Sequence, residues 1–231
     1  SGGKLNIVGE LSRYYGCKPV IRSLLQLVPG WSVADTLLQQ RVSEIRTERM
    51  RAFFDELAAG KHALTDELIK TDDFLHCFFC TLRAALNTRQ VDKIKMMARL
   101  LDSSLSADID TSTDEYEELL SILDSISLRE FNALIILFRL EQSNPLKYGH
   151  VQRAERGSQE EWSHVKSYWD TFKSKVVSSL NVPENSFRDF MAKMERTGLY
   201  FRIFGGPVGY TGNFGRTTSL FRRLLQFIEQ K

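Results

Sequence analysis

The fold is decided by residues 183–230, PENSFRDFMAKMERTGLYFRIFGGPVGYTGNFGRTTSLFRRLLQFIEQ. Their pattern changes from helix to glycine-rich strand and back to helix. A helix is predicted from Pro183 to Thr197, with Gly198 as its end, and a basic closing helix is predicted from Thr218 to Gln230. Between the helices, the predicted hairpin consists of the strand Leu199–Phe204, the turn Gly205-Gly206-Pro207 and the strand Gly209–Phe214. This order is typical of a winged-helix-like module, which binds nucleic acid or another protein.

The sequence before this stretch predicts helices almost throughout. Large apolar residues recur every four positions at Phe74, Phe78 and Leu82, which is the period of an amphipathic helix. Ser127 and Glu130 have the spacing of a capping box. The predicted helices are Pro19–Val28, Ser32–Ala59, Thr65–Asn87 with a restart at Thr71, Thr88–Leu105, Asp114–Ser125, Leu128–Glu141 and Ser158–Leu180.

We therefore predict an all-α protein in which a multi-helix N-terminal bundle precedes the winged-helix-like C-terminal module and its small two-stranded hairpin. The predicted domains are a helical bundle over residues 4–144 and the winged-helix-like module over residues 158–231, with a polar loop at 145–157. No internal repeat is apparent in either part.

Composition excludes several classes of protein. The chain has 231 residues, of which 42% are hydrophobic and 26% charged, as in an ordinary globular protein. No uncharged apolar run reaches the length of about 18 residues that a membrane span needs, so no transmembrane segment is predicted. The three cysteines, Cys17, Cys77 and Cys80, favour a reducing compartment, and the expected location is the cytoplasm.

Charge is distributed unevenly along the chain. Residues 1–145 contain 17 Lys and Arg against 21 Asp and Glu, whereas residues 146–231 contain 14 against 8. A positive C-terminal part can attract a polyanion through its long-range field. The basic residues that we select there as candidates for nucleic-acid or partner binding are Arg188, Lys193, Arg196, Arg202, Arg216, Arg222 and Arg223.

Residue spacing does not indicate a catalytic site, a metal site or a cofactor. His76, Cys77 and Cys80 share one apolar helix, but a structural zinc site needs four ligands and no second pair accompanies them. The glycines of residues 205–215 lack the Gly-Lys-Ser/Thr ending of a phosphate-binding P-loop. A hydrolase whose site forms only in the folded chain stays open as a third hypothesis.

Several helical segments and the tail are similar to a known family. They are Pro19–Leu38, Arg46–Phe54, Lys93–Leu100, Ile126–Glu130, Met194–Leu199 and Tyr210-Thr211. Together they resemble the Abi-alpha type of bacterial protein, a helical family linked to abortive infection against phage. The resemblance implies a non-enzymatic role in phage defence.

The first functional hypothesis is a non-catalytic bacterial interaction protein with a protein partner, acting in phage defence. The second is a transcriptional regulator that binds duplex DNA through the C-terminal module. The sequence leaves the oligomeric state open.

Overall fold

The computed structural model describes residues 11, 13–15, 18–28, 37–62, 64–106, 111–145, 159–203 and 214–229. Its α-helices are α1 Pro19–Leu27, α2 Leu37–Ala59, α3 Asp72–Asn87, α4 Val91–Ser103, α5 Thr113–Ser125, α6 Leu128–Ser143, α7 Gln159–Ser179, α8 Phe187–Glu195 and α9 Ser219–Ile228. Two 3-10 turns, Leu68–Lys70 and Glu184–Ser186, precede α3 and α8. The strands β1 Tyr200–Arg202 and β2 Gly215–Thr217 form one antiparallel hairpin between α8 and α9.

The mostly α-helical fold with a small two-stranded hairpin near the C-terminus is thus confirmed. Within the ranges that the structure describes, no helix combines the length and apolar character that crossing a bilayer requires.

The chain divides into two compact units. The first unit is Ser1–Asp124 with Phe227–Lys231, and the second unit is Ser125–Gln226. By sequence, the second unit contains 15 Lys and Arg against 9 Asp and Glu, while the first contains 16 against 20. The positive surplus therefore belongs to the second unit. The predicted domains at 4–144 and 158–231 stay a prediction, because most of the loop between them lies outside the described residues.

Local signals fixed several helix ends. The hydroxyl of Thr71 accepts a hydrogen bond from the backbone N–H of Phe74, so the predicted restart is the N-cap of α3. Ser127 and Glu130 form the predicted capping box at the start of α6, with both reciprocal hydrogen bonds present. These caps satisfy N–H groups that a helix start otherwise leaves without a partner.

The core of the first unit forms where α2, α3 and α4 meet. Phe53 and Phe54 of α2 and Phe78 of α3 are fully buried, and their ring centroids lie 5.4 to 6.3 Å apart. Aromatic rings at this spacing add to the stability that burial of their area provides.

A buried carboxylate fixes the loop that follows α2. Asp102 of α4 accepts hydrogen bonds from the backbone N–H groups of Lys61 and His62, at 3.1 and 3.4 Å, and its Oδ2 lies 3.1 Å from His62 Nδ1. A Cβ atom at Gly60 would overlap with this carboxylate. The absence of a side chain at position 60 is therefore what lets the loop close on Asp102.

In the second unit, aromatic residues join α7, α8 and the residue before β2. The ring centroid of Trp169 lies 4.9 Å from that of Phe172 and 5.2 Å from that of Phe214. The rings of Phe172 and Phe187 lie 6.0 Å apart. This cluster packs the start of α8 and the base of the hairpin onto α7.

The described part of the second strand, Gly215–Thr217, lies beyond the predicted end of that strand at Phe214. Its pairs are Tyr200 with Thr217, Phe201 with Arg216 and Arg202 with Gly215, whereas the prediction was Gly209–Phe214, of which residues 209–213 lie outside the described part. Gly215 is needed in this strand because a Cβ atom there would overlap with the ring of Tyr200. The sequence did not predict a strand at Gly215–Thr217, because it does not show that Tyr200 crosses position 215.

Candidate functional site

The helix α8 presents a charged face of mixed sign. Phe187, Met191 and Met194 are buried at helical spacing and form its core face. The opposite, exposed side carries cations and acids together: Arg188, Asp189, Lys193, Glu195 and, at the C-cap, Arg196. Three of the seven residues selected from the sequence therefore lie along α8, interleaved with two carboxylates.

A shallow cavity of about 160 Å³ lies between α8 and β1. Arg188 and Arg202 line it together with Asp189, Glu195 and the edge of Tyr200. The fold thus brings Arg202 of the hairpin and Arg188 of α8 to the same cavity, while Lys193 and Arg196 lie elsewhere on the exposed part of the helix. We call Arg188, Lys193, Arg196 and Arg202 the α8 group.

The hairpin directs its two arginines to opposite faces. Residues paired across an antiparallel ribbon lie on the same face, and neighbours along a strand alternate. Arg216 is paired with Phe201, and its guanidinium carbon lies 5.1 Å from the centre of the Phe201 ring. Arg202 is the next residue along β1 and therefore lies on the other face.

Two of the remaining cations, Arg216 and Arg222, act on a mostly buried acid, Glu141. Glu141 of α6 accepts hydrogen bonds from Thr217, and Arg222 Nη2 lies 3.8 Å from Glu141 Oε2. Burial raises the pKa of Glu141, while the Thr217 hydrogen bonds and the charges of Arg222 and Arg216 oppose that rise. Arg223 donates instead to Gln226 Oε1, at 3.5 Å. The seven residues therefore do not form one surface: four make the α8 group, and Arg216 and Arg222 act on Glu141.

A second cluster lies in the first unit; the sequence analysis considered His76 and Cys80 but missed Glu117. His76 Nε2 lies 2.5 Å from Glu117 Oε1 and 3.8 Å from Cys80 Sγ. The three ligand-type atoms all lie within 4.8 Å of one another. His76 and Cys80 come from α3 and Glu117 from α5. A spacing of four between His76 and Cys80 was the available signal, because it places both on one helix face.

Cys77, which the sequence analysis considered together with His76 and Cys80, lies outside this cluster. Burial, followed by the neighbouring Cys80, Asp73 and Glu117, raises the pKa of the Cys77 thiol to about 11. Its thiol is therefore almost wholly protonated at neutral pH. Cys77 and Cys80 are both free thiols.

No family model, curated protein or solved structure matches this chain. The fold and the surfaces described define a mostly helical protein with a C-terminal hairpin. The likeness to Abi-alpha proteins stays a prediction.

Proposed function

We propose that the protein is a non-catalytic interaction protein that binds a protein partner through the α8 group and the cavity beside β1. The observation that supports this most is the alternation of charge on that surface. Three cations of α8 alternate along the helix with the carboxylates of Asp189 and Glu195. Arg202 contributes a fourth cation from the hairpin.

The sign of the charges favours a protein over a nucleic acid as partner. A nucleic-acid backbone offers negative charge only, so carboxylates in the contact surface oppose its binding. A protein surface carries both signs, and complementary charges on it set orientation and partner choice. The cavity of about 160 Å³ is also smaller than the roughly 300–1,000 Å³ of ordinary small-molecule sites.

The setting that we propose for this interaction is defence of a bacterium against phage, which rests on the Abi-alpha resemblance of the helical segments. Cells with the gene should then form fewer plaques than cells without it across a broad phage panel. Equal plaquing on every phage of the panel contradicts this setting.

The surface itself is tested by charge reversal in the same cells. Lys193→Glu with Arg196→Glu should abolish protection because both exposed cations lie on the proposed surface. Arg139→Glu with Lys175→Glu makes the same change of charge at exposed positions on α6 and α7. Protection that survives the first pair of changes, or is lost equally with the second, contradicts the assignment.

Direct contact is tested by photo-crosslinking in infected cells. A benzophenone amino acid at position 196 should give a discrete crosslinked protein, and the same group at position 175 should not. No product at 196, or the same product at both positions, contradicts partner binding at this surface.

The alternative function, a regulator that binds duplex DNA, is favoured by one observation. The second unit carries the positive surplus, and its α8 group adjoins the hairpin as the cations of a winged helix do. Duplex binding followed by fluorescence anisotropy should then weaken steeply as salt is raised. Alanine at Arg188, Lys193, Arg196, Arg202 and Arg216 together should abolish it. No binding of any duplex at low salt rejects this alternative.

A further inference from the structure

Three side chains with different metal-binding atoms meet on the surface of the first unit. His76 and Cys80 lie one turn apart on α3, and Glu117 of α5 faces them. The imidazole nitrogen, the thiol sulfur and the carboxylate oxygen all lie within 4.8 Å of one another. This is a convergence of three ligand types from two helices, and it is separate from the interaction surface proposed on the second unit.

The distances suit a tetrahedral ion with little rearrangement. Zinc bonds of about 2.0–2.3 Å place nitrogen and sulfur ligands roughly 3.6 Å apart in tetrahedral geometry. The observed separation between His76 Nε2 and Cys80 Sγ is 3.8 Å. The contact of 2.5 Å between His76 and Glu117 is that of a hydrogen bond, and it has to open by about 1 Å to admit an ion. Both side chains are about half exposed, so they can turn to do so.

The chemistry of the three ligands selects the kind of ion. A thiolate disfavours the hard ions Mg²⁺ and Ca²⁺, which prefer oxygen ligands, whereas Zn²⁺ accepts nitrogen, sulfur and oxygen together. Three protein ligands leave one tetrahedral position for water or another small ligand.

A surface depression between α3 and α5 adjoins the cluster. It encloses about 280 Å³, and Cys80 and Glu117 are part of its lining. Arg83, Asn87, Ser121 and Asp124 form other parts of its wall. A fourth ligand to the ion can therefore come from solvent, and these polar side chains are available to orient it.

We propose that His76, Cys80 and Glu117 form a binding site for one Zn²⁺ ion, with the fourth position open to solvent. The site holds α3 to α5 through the ion, in place of the direct hydrogen bond between His76 and Glu117.

Binding is measured on the full chain, first stripped of metal and kept reduced. Isothermal titration with Zn²⁺ should show one tight equivalent. Cobalt should replace zinc and give a thiolate-to-cobalt charge-transfer band in the near ultraviolet. His76→Ala, Cys80→Ser and Glu117→Gln should each weaken zinc binding at least about tenfold. Loss of a residue that only hydrogen-bonds to a metal ligand already lowers metal affinity about 10–100-fold.

Matched controls lie beside each type of ligand. Cys77→Ser removes the other thiol of α3, and Glu118→Gln removes the exposed carboxylate next to Glu117. Both should keep the affinity within about twofold and keep the cobalt band, which Cys80→Ser should abolish. Far-ultraviolet circular dichroism shows which variants are folded. The charge-transfer band of the cobalt complex of the unchanged chain tests for a thiolate ligand without any substitution.

Absence of zinc binding by the unchanged chain overturns the proposal, as does a cobalt complex without the charge-transfer band. Equal weakening by Cys77→Ser and Cys80→Ser also overturns it, because the geometry assigns only Cys80 to the site. Zinc affinity is independent of phage protection and of partner crosslinking, so failure of this proposal is distinguishable from failure of the proposed function.

Discussion

Glu141 on α6 accepts two hydrogen bonds from Thr217 on β2, from its backbone N–H at 2.7 Å and from its hydroxyl at 2.5 Å. The two residues are 76 positions apart in the sequence. Thr217 is fully buried, so its polar groups have no access to solvent and depend on this carboxylate. The Glu141 side chain thereby helps to anchor the hairpin to α6.

Replacement of Glu141 by alanine should destabilise the protein. It leaves the buried N–H and hydroxyl of Thr217 without their acceptor, which costs about 1–3 kcal/mol of the free energy of unfolding. Urea denaturation followed by tryptophan fluorescence measures the loss. Glu195→Ala, at an exposed position of α8, is the matched control and should stay within about 0.5 kcal/mol. Equal stability of the two variants would contradict the anchoring role.

The pH dependence of stability should also identify Glu141. Burial raises its pKa above the ordinary value of 4.5, so the folded chain keeps this proton to a higher pH than the unfolded chain does. The contribution of Glu141 to stability is therefore greatest below pH 4.5 and declines as the pH rises through the raised pKa. Glu141→Gln cannot titrate. The difference in the free energy of unfolding between the unchanged chain and Glu141→Gln should accordingly fall as the pH rises above 4.5. A difference that stays constant with pH speaks against the raised pKa.

Gly215→Ala should loosen the hairpin. A Cβ atom at this position overlaps with the ring of Tyr200 and with the carbonyl oxygen of Phe201. Because the carbonyl belongs to the paired strand, the backbone itself has to move, and overpacking of this kind costs about 1–3 kcal/mol. Thermal unfolding measures the effect, with Ser219→Ala at the exposed start of α9 as control. An unchanged melting temperature for Gly215→Ala would contradict the close approach.

Cys77 should resist alkylation in the folded protein. Its pKa of about 11 leaves less than about one thiol in a thousand ionised at pH 7.5, and the thiolate is the reactive form. In the unchanged chain free of metal, the rate of iodoacetamide reaction at Cys77, located by fragmentation of its peptide, should rise until about pH 11. In guanidinium the midpoint should move to the ordinary value of 9.0. Mass spectrometry of the tryptic peptide gives the rates, and the same midpoint in both conditions rejects the effect of burial.

Much of the fold was predictable because its signals are local. Ser127 and Glu130, which are three residues apart, form the cap at the start of α6. Thr71 caps the start of α3 through Phe74, also three residues away. Short-range hydrogen bonds therefore set the start of each helix. The strand at Gly215–Thr217 was not predicted, because its position depends on distant residues. Tyr200 requires glycine at position 215, and Glu141 binds Thr217, neither of which can be seen in the local sequence.

The candidate surfaces were predictable to different degrees. Arg188, Lys193 and Arg196 follow from the period of α8, and the structure places them on its exposed side. Arg202 and Arg216 were grouped together by sequence, yet pairing in the hairpin puts them on opposite faces. Glu117 could not be assigned to His76, because the register between α3 and α5 is a property of their packing and not of either helix alone.

The close approach of Gly60, in the loop after α2, to Asp102 of α4 couples the evolution of these two positions. A Cβ atom at position 60 would displace the buried carboxylate of Asp102. A homologous chain that lacks Asp102 does not need glycine at position 60. In homologous chains that keep Asp102, position 60 should consequently stay glycine, which makes the pair a marker for recognising distant members from sequence.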